Sequence, residues 1–421
     1  MLALFTYAWG TPLEWLDFVT SGATESSVVT QALFLAFFVG SVVSLNGNWH
    51  VVRAAMSREP LVPTFVALAI ASSVWSTLPV ATLRNGVILA VAYMTAMHLV
   101  VRFSAESIIA MFATVLAAGA VISFGFIAVF ESFSTFSISP GSDSLTGESN
   151  TDWRGITSNK NDLGRAGVLG ALSCAVNARI VKSKFVWPVL AVLCAVLVMG
   201  SNSATSLGAL AGLSLLSAVL LGFRGRKTFY GATLLSMALV FATLFSLAAT
   251  NLAATTGLIG KDSTFTGRLP IWQDSFEFGI SQRPLLGFGR GGFWRHGVVD
   301  FNVQIRSNNF DIPHAHNALV DALLEVGPLG AILIAAIFIR GLLWSTRRIR
   351  ALPVAVGMFP ALIISAGVIY SASEFGFVSR SIQFIAFVVA LTQAASHKGK
   401  EHRRPATPEQ PEHRPTTALS A

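Results

Sequence analysis

Eleven continuously apolar windows recur along this chain, each long enough to cross a hydrocarbon core of about 30 Å as a helix. They fall near residues 29–46, 61–79, 86–102, 107–130, 164–181, 185–200, 205–223, 228–250, 317–340, 353–371 and 377–396. Helices are preferred over a membrane barrel, because barrel strands alternate in and out over about ten residues and these windows are continuously apolar. Hydrophobic residues make up 53% of the chain, charged residues only 12%, and mean hydropathy is +0.64, values outside the range of a soluble domain. The expected fold is an all-α polytopic membrane protein of about 11–12 transmembrane helices, with a large extracytoplasmic loop containing short amphipathic helices.

The basic residues orient these windows. Arg53, Arg58, Arg102, Arg179, Lys182, Lys184, Arg224, Arg226, Lys227, Arg340, Arg347, Arg348 and Arg350 fall in alternate short loops, and Lys398, Lys400, Arg403, Arg404 and Arg414 fall in the tail. These are 18 of the 29 Lys and Arg residues, so this side reads as cytoplasmic and the amino terminus as outside. The net charge of +8 is then a topology signal and a match to anionic headgroups. No basic face interleaved with aromatics supports nucleic-acid binding. Cys174 and Cys194 both fall inside apolar windows, which argues against a disulfide staple or a zinc site.

Five segments follow. Residues 1–28 form an extracytoplasmic or interfacial start that lacks the basic opening of a signal peptide. Residues 29–250 hold eight spans with an outer loop at 131–163, residues 251–316 form a large extracytoplasmic loop, and residues 317–396 hold three more spans. Residues 397–421, rich in Pro, Thr, Glu and Arg, read as a disordered tail. The two outer loops are too long to be mere connectors.

Candidate chemistry gathers on the outer side. Pro313-His314-Ala315-His316-Asn317 opens a span, and an ionisable group at such a depth is costly unless it serves function or a buried contact. His316 is the leading candidate, while His314 is expected to point elsewhere and serve structure. His314 with Asp311 makes only two possible metal ligands, so no metal site is expected. In the first loop Arg154, Lys160 and Arg165 cluster at a helix start that Asn161 or Asp162 would cap. Cations at the positive end of a helix call for an anionic partner or for lipid headgroups. In the second loop Arg268-Leu269-Pro270-Ile271-Trp272 begins an amphipathic helix, with Leu269, Trp272, Phe276 and Ile280 at helical spacing. A Gly-rich turn follows at 284–294 and carries Arg290. Trp75 to Arg84, Ser201 to Thr205 and Ser373-Glu374 lie on the same side, and Glu325, inside its span, needs a basic partner or a proton.

His316-Asn317 is followed by nine residues and then Gly327-Pro328-Leu329-Gly330. In this spacing the chain resembles the O-antigen ligase and polysaccharide polymerase superfamily. The resemblance continues through Trp75 to Arg84, Arg154-Gly155 to Lys160-Asn161, Ser201 to Thr205, Thr266-Gly267-Arg268, Pro284 to Phe293 and Ser373-Glu374. One position departs: exopolysaccharide polymerases usually have His-Lys-Asn where this chain has Asn159-Lys160-Asn161.

The resemblance implies a GT-C-like glycosyltransferase that is inverting, independent of metal and free of cofactors. An acceptor hydroxyl would attack the anomeric carbon of a polyprenyl diphosphate-linked glycan at the outer face of a bacterial cytoplasmic membrane. His316 would be the base, and Arg268, Arg154, Arg84, Lys160 and Arg290 would hold the diphosphate, with Asn317, His314 and Glu374 as further site residues. Implied partners are glycan donor and acceptor, the bilayer, a flippase and a chain-length regulator. A polymerase fits the Trp-Arg-Gly and Lys-Asn run best; a ligase to lipid A core or protein shares the same residues. A lipid or glycan transporter is the rival from another class, though the paired halves and midplane charges of transporters are not evident.

Overall fold

The computed structural model describes residues 1–10, 28–137, 151–223, 268–294, 314–373 and 381–395. Fourteen helices and one short ribbon form in these segments. They are α1 (Leu2–Trp9), α2 (Val28–Ser44), α3 (Trp49–Arg58), α4 (Leu61–Ala71), α5 (Pro79–Arg102), α6 (Ala105–Val129) and the single turn α7 (Glu131–Ser134). After β1 (Thr135–Ser137) and β2 (Thr151–Trp153) come α8 (Lys160–Ile180), α9 (Val186–Gly200), α10 (Ala204–Phe223), α11 (Arg268–Gln282), α12 (Ala318–Ala351), α13 (Val354–Ser373) and α14 (Ile382–Ala395). The strands pair antiparallel, Thr135 opposite Trp153.

The protein is a multi-pass helical membrane protein. Among the described residues five helices, α5, α6, α10, α12 and α13, are long and apolar enough to cross a membrane, or six if α2 and α3, bent by 103°, count as one. Ten of the eleven apolar windows coincide with helices; the window at 228–250 lies outside the described residues. Three of the ten are short for a full crossing, α9 because its window is itself short and the other two because the helix does not fill the window. The helical stretch Leu61–Val74, α9 and α14 each have 10–17 residues, and a 15-residue helix spans only about 23 Å. The first is cut short because the chain turns at Trp75 and restarts at Pro79, a residue suited to a first helical turn. α8 reaches 21 residues but carries Lys160, Asp162, Arg165 and Arg179.

Small residues set the closest packing. A Cβ on Gly167 of α8 would lie 2.7 Å from Val198 Cγ2 and 2.9 Å from the Cys194 carbonyl oxygen, so glycine is what lets α9 approach. Both cysteines are free thiols buried near this seam. α13 and α14 are buried along most of their length, and α13 packs against α8, α10, α12 and α14.

Contacts between helix ends separate two poles. At one, Trp75 Nε1 donates to the Leu286 carbonyl (2.8 Å), Asn202 Nδ2 to Asp152 (2.9 Å) and Asn317 Nδ2 to the Ala372 carbonyl (3.4 Å). At the other, Arg340 Nη2 donates to the Arg58 carbonyl (3.0 Å) and Arg348 Nε to that of Ala394 (3.2 Å). Glu59 sits at this second pole. Its carboxylate accepts from the Leu61 and Val62 amides, and burial pushes its pKa up against the pull of those bonds and of Arg340.

Candidate functional site

His316 has a left-handed backbone (φ +54°), an uncommon conformation for a residue with a side chain, of a kind that tends to cluster at functional sites. Its neighbours hold it there. Ala315 is fully buried; its carbonyl accepts from Trp272 Nε1 (2.7 Å), and its amide donates to Asp321 Oδ1 (2.8 Å). On the other side, Asn317 Oδ1 accepts from the Leu319 and Val320 amides (3.0 and 3.2 Å) and caps α12. Replacing Asn317 by Ala is expected to cost about 1 kcal/mol, read as a lower melting temperature of the purified protein.

His314 does not point away as the sequence implied. The left-handed turn folds the chain back so that the two imidazoles meet edge to face, centroids 4.1 Å apart. His314 Nδ1 accepts the His316 amide at 3.2 Å, which assigns the proton of a neutral His314 to Nε2.

The Gly-rich turn is stitched to the same helix. Pro328 has no N–H to offer the Leu324 carbonyl, and Gly327 leaves helical geometry altogether (φ 75°, ψ −174°). The carbonyls of Leu324 and Glu325 are thereby free to accept from Phe288 N (3.0 Å) and Gly289 N (2.7 Å). Just beyond, the buried Arg290 guanidinium pairs with the buried Glu325 carboxylate, and Arg290 N donates to Ser72 Oγ (3.0 Å). The turn is also bound to the Trp75 segment: Ser76 Oγ donates to the Phe288 carbonyl (2.9 Å) and Arg283 Nη1 to the Trp75 carbonyl (2.7 Å). Arg290 therefore lies inside the protein against Glu325, the basic partner that Glu325 needed. It does not sit in a turn open to water.

The first outer loop answers most of its own charge. Asn159, and not Asn161 or Asp162, caps α8, accepting the Asp162 amide at 2.9 Å; Asp162 in turn accepts from Asn159 Nδ2 and Ser158 Oγ, both at 2.7 Å, and pairs with Arg165. A residue with extended backbone directly before the first helical turn is best placed to cap, and Asn159 has φ −155°. Lys160 Nζ lies 2.5 Å from buried Asp152. Arg154 is buried, which pulls its pKa below the ordinary value without discharging it. Arg84 is exposed on the second turn of α5, and Glu374 lies outside the described residues, two beyond the Ala372 carbonyl that Asn317 touches. Arg268 opens α11, one helical turn before Trp272.

A segment of known kind coincides with this architecture. Residues 189–335 match the family model described as O-antigen ligase, a stretch holding Arg268, Arg290, His316 and both glycines of the motif. A second similarity, 30% identity over 100 residues, is to the exopolysaccharide production protein ExoQ of Rhizobium meliloti. Over this segment the chain is similar to the O-antigen ligase family. The aligned part spans 22% of ExoQ and 22% of this chain.

Two site features escaped the sequence reading. Asp321, 1% exposed, accepts from both Ala315 N and Trp294 Nε1 (2.8 Å each), and Asp152 joins Lys160 to Asn202. Asp321 carried a usable signal, since it is a second carboxylate one turn before Glu325 in the same apolar window. Asp152 carried none, because an acid in a polar loop is ordinary.

Proposed function

We propose that this protein is a polysaccharide polymerase acting on polyprenyl diphosphate-linked glycans at the periplasmic face of the bacterial inner membrane. The observation that carries this reading is His316, held left-handed at the head of a membrane helix among fixed backbone groups, at the same pole as Arg154, Arg84, Lys160 and the start of α11. The opposite pole holds Arg53, Arg58, Arg102, Arg179, Lys182 and Lys184, as a cytoplasmic face would.

In this reading His316 takes the proton of an acceptor sugar hydroxyl. That oxygen attacks the anomeric carbon of the donor, the bond to the diphosphate oxygen breaks, and lipid diphosphate leaves with its charge met by guanidinium groups. Attack opposite the leaving group inverts the anomeric centre. Arg268 and Arg154 are the proposed diphosphate ligands, with Arg84 and Lys160 beside them; Lys160 would have to exchange Asp152 for substrate. Arg290 is assigned to holding the Gly-rich turn, its charge already met by Glu325. The preference for polymerase over ligase rests on the run from Trp153-Arg154-Gly155 to Lys160-Asn161. A flippase and a chain-length regulator are proposed partners because supply and product length are separate tasks.

The test is transfer in detergent with an undecaprenyl diphosphate-linked oligosaccharide and EDTA. Wild type is expected to lengthen the glycan. His316→Ala is expected to lose about 100-fold or more in rate, as removal of a general base does, and Arg268→Ala to fail while still folded. Transfer only when lipid A core is supplied would make the protein a ligase, and lipid movement across vesicles without sugar transfer would make it a transporter.

A further inference from the structure

We propose that Asp321 is a positioning residue for His316, setting the turn that aims the imidazole without itself touching substrate. The inference rests on His316 being the base.

Three observations carry it. One oxygen, Oδ1, accepts both the Ala315 amide and the Trp294 indole at 2.8 Å, so a single atom joins α12, the His316 turn and the Gly-rich segment. The carboxylate is 1% exposed and Ala315 fully buried, so water is kept from the bond between them. Asp321 is itself fixed, its own amide donating to the Asn317 carbonyl at 2.9 Å. With Trp272 holding the Ala315 carbonyl at 2.7 Å, both polar groups of the residue preceding His316 are bound by side chains. A left-handed backbone with a side chain persists only where surrounding structure over-determines it, and Asp321 with Trp272 is that structure on the amino-terminal side. Among the described residues its other oxygen, Oδ2, is buried with no hydrogen-bonding partner, so the contacts to both segments run through one acceptor atom that an asparagine also possesses.

The experiment uses full-length protein in detergent with an undecaprenyl diphosphate-linked oligosaccharide as donor, and measures kcat and donor KM. Asp321→Ala is expected to lower kcat about 100-fold, the scale of a misplaced catalytic group, with KM within about twofold. Asp321→Asn, retaining the acceptor, is expected to stay within about tenfold of wild type, and Trp294→Phe within about threefold because it leaves the Ala315 bond intact. In a His316→Ala background, either Asp321 substitution is expected to add less than about twofold, since it acts through the absent imidazole.

Should the alanine variant not fold, the asparagine variant carries the same test through its loss, if any, with and without His316. Wild-type kcat in a folded Asp321→Ala variant overturns the proposal. So does an undiminished loss in the His316→Ala background, which is the behaviour of a merely structural residue, or a Trp294→Phe loss as large as that of Asp321→Ala. If His316→Ala alone keeps wild-type activity, it is the assignment of the base that fails, and positioning of that base fails with it.

Discussion

Truncating Glu325 to Ala is expected to destabilise the protein by about 3–5 kcal/mol, because it removes the carboxylate that pairs with the buried Arg290 guanidinium. Removal of Arg290 should cost a similar amount. The loss would not stay local: Arg290 lies on the turn whose Phe288 and Gly289 amides satisfy the carbonyls that Pro328 and Gly327 leave open. The measurement is thermal unfolding in detergent, followed by intrinsic tryptophan fluorescence, for each single variant and for Arg290→Met with Glu325→Leu. The double variant is expected to be more stable than either single one, because apolar groups of similar volume remove the desolvation cost of both charges. A double variant as unstable as the singles would show that the pair contributes geometry that packing cannot replace.

The two glycines of the motif are expected to behave very differently. At Gly327 the backbone (φ 75°, ψ −174°) is open essentially to glycine alone, and a Cβ would lie 2.8 Å from the Leu285 carbonyl carbon and 3.3 Å from the Leu286 nitrogen. Strain and overlap with rigid backbone together should make Gly327→Val cost about 2–5 kcal/mol, seen as loss of the monodisperse peak in gel filtration and a lowered melting temperature. Gly330 is helical, and a Cβ there would meet chiefly the Val326 side chain, which can move. Gly330→Ala should therefore shift stability by less than about 1 kcal/mol, the helix-propensity gain offsetting the crowding. Equal effects at the two positions would contradict the assignment of the helix break to Gly327.

Much of the site was legible because it depends on covalent sequence order. The spacing from His316 to Gly327 and Gly330 is fixed along the chain, as are Asn317 before an apolar run and the helix starting at Arg268. The expectation that Glu325 needs a basic partner also follows from its apolar surroundings alone. Which base would answer it does not, since Arg290 is 35 residues away and several arginines share that pole. His314 was misplaced because sequence periodicity assumes regular backbone, and the left-handed turn at His316 breaks the period. The cap of α8 was displaced for a related reason: three polar residues, Asn159, Asn161 and Asp162, can each cap, and backbone geometry selects among them.

By itself the sequence determined the solvent this protein folds in, the helices as the units that bury its backbone, and the order in which candidate residues arrive at one pole. These follow from hydropathy, from the lack of water to satisfy open backbone in hydrocarbon, and from the parity of crossings. Only the tertiary structure decided which charges are already spoken for, Lys160 by Asp152, Arg165 by Asp162 and Arg290 by Glu325, and that one oxygen of Asp321 holds the turn beside His316. Ion pairs and hydrogen bonds are short-ranged and directional, so their partners are set by how segments far apart in the chain pack together.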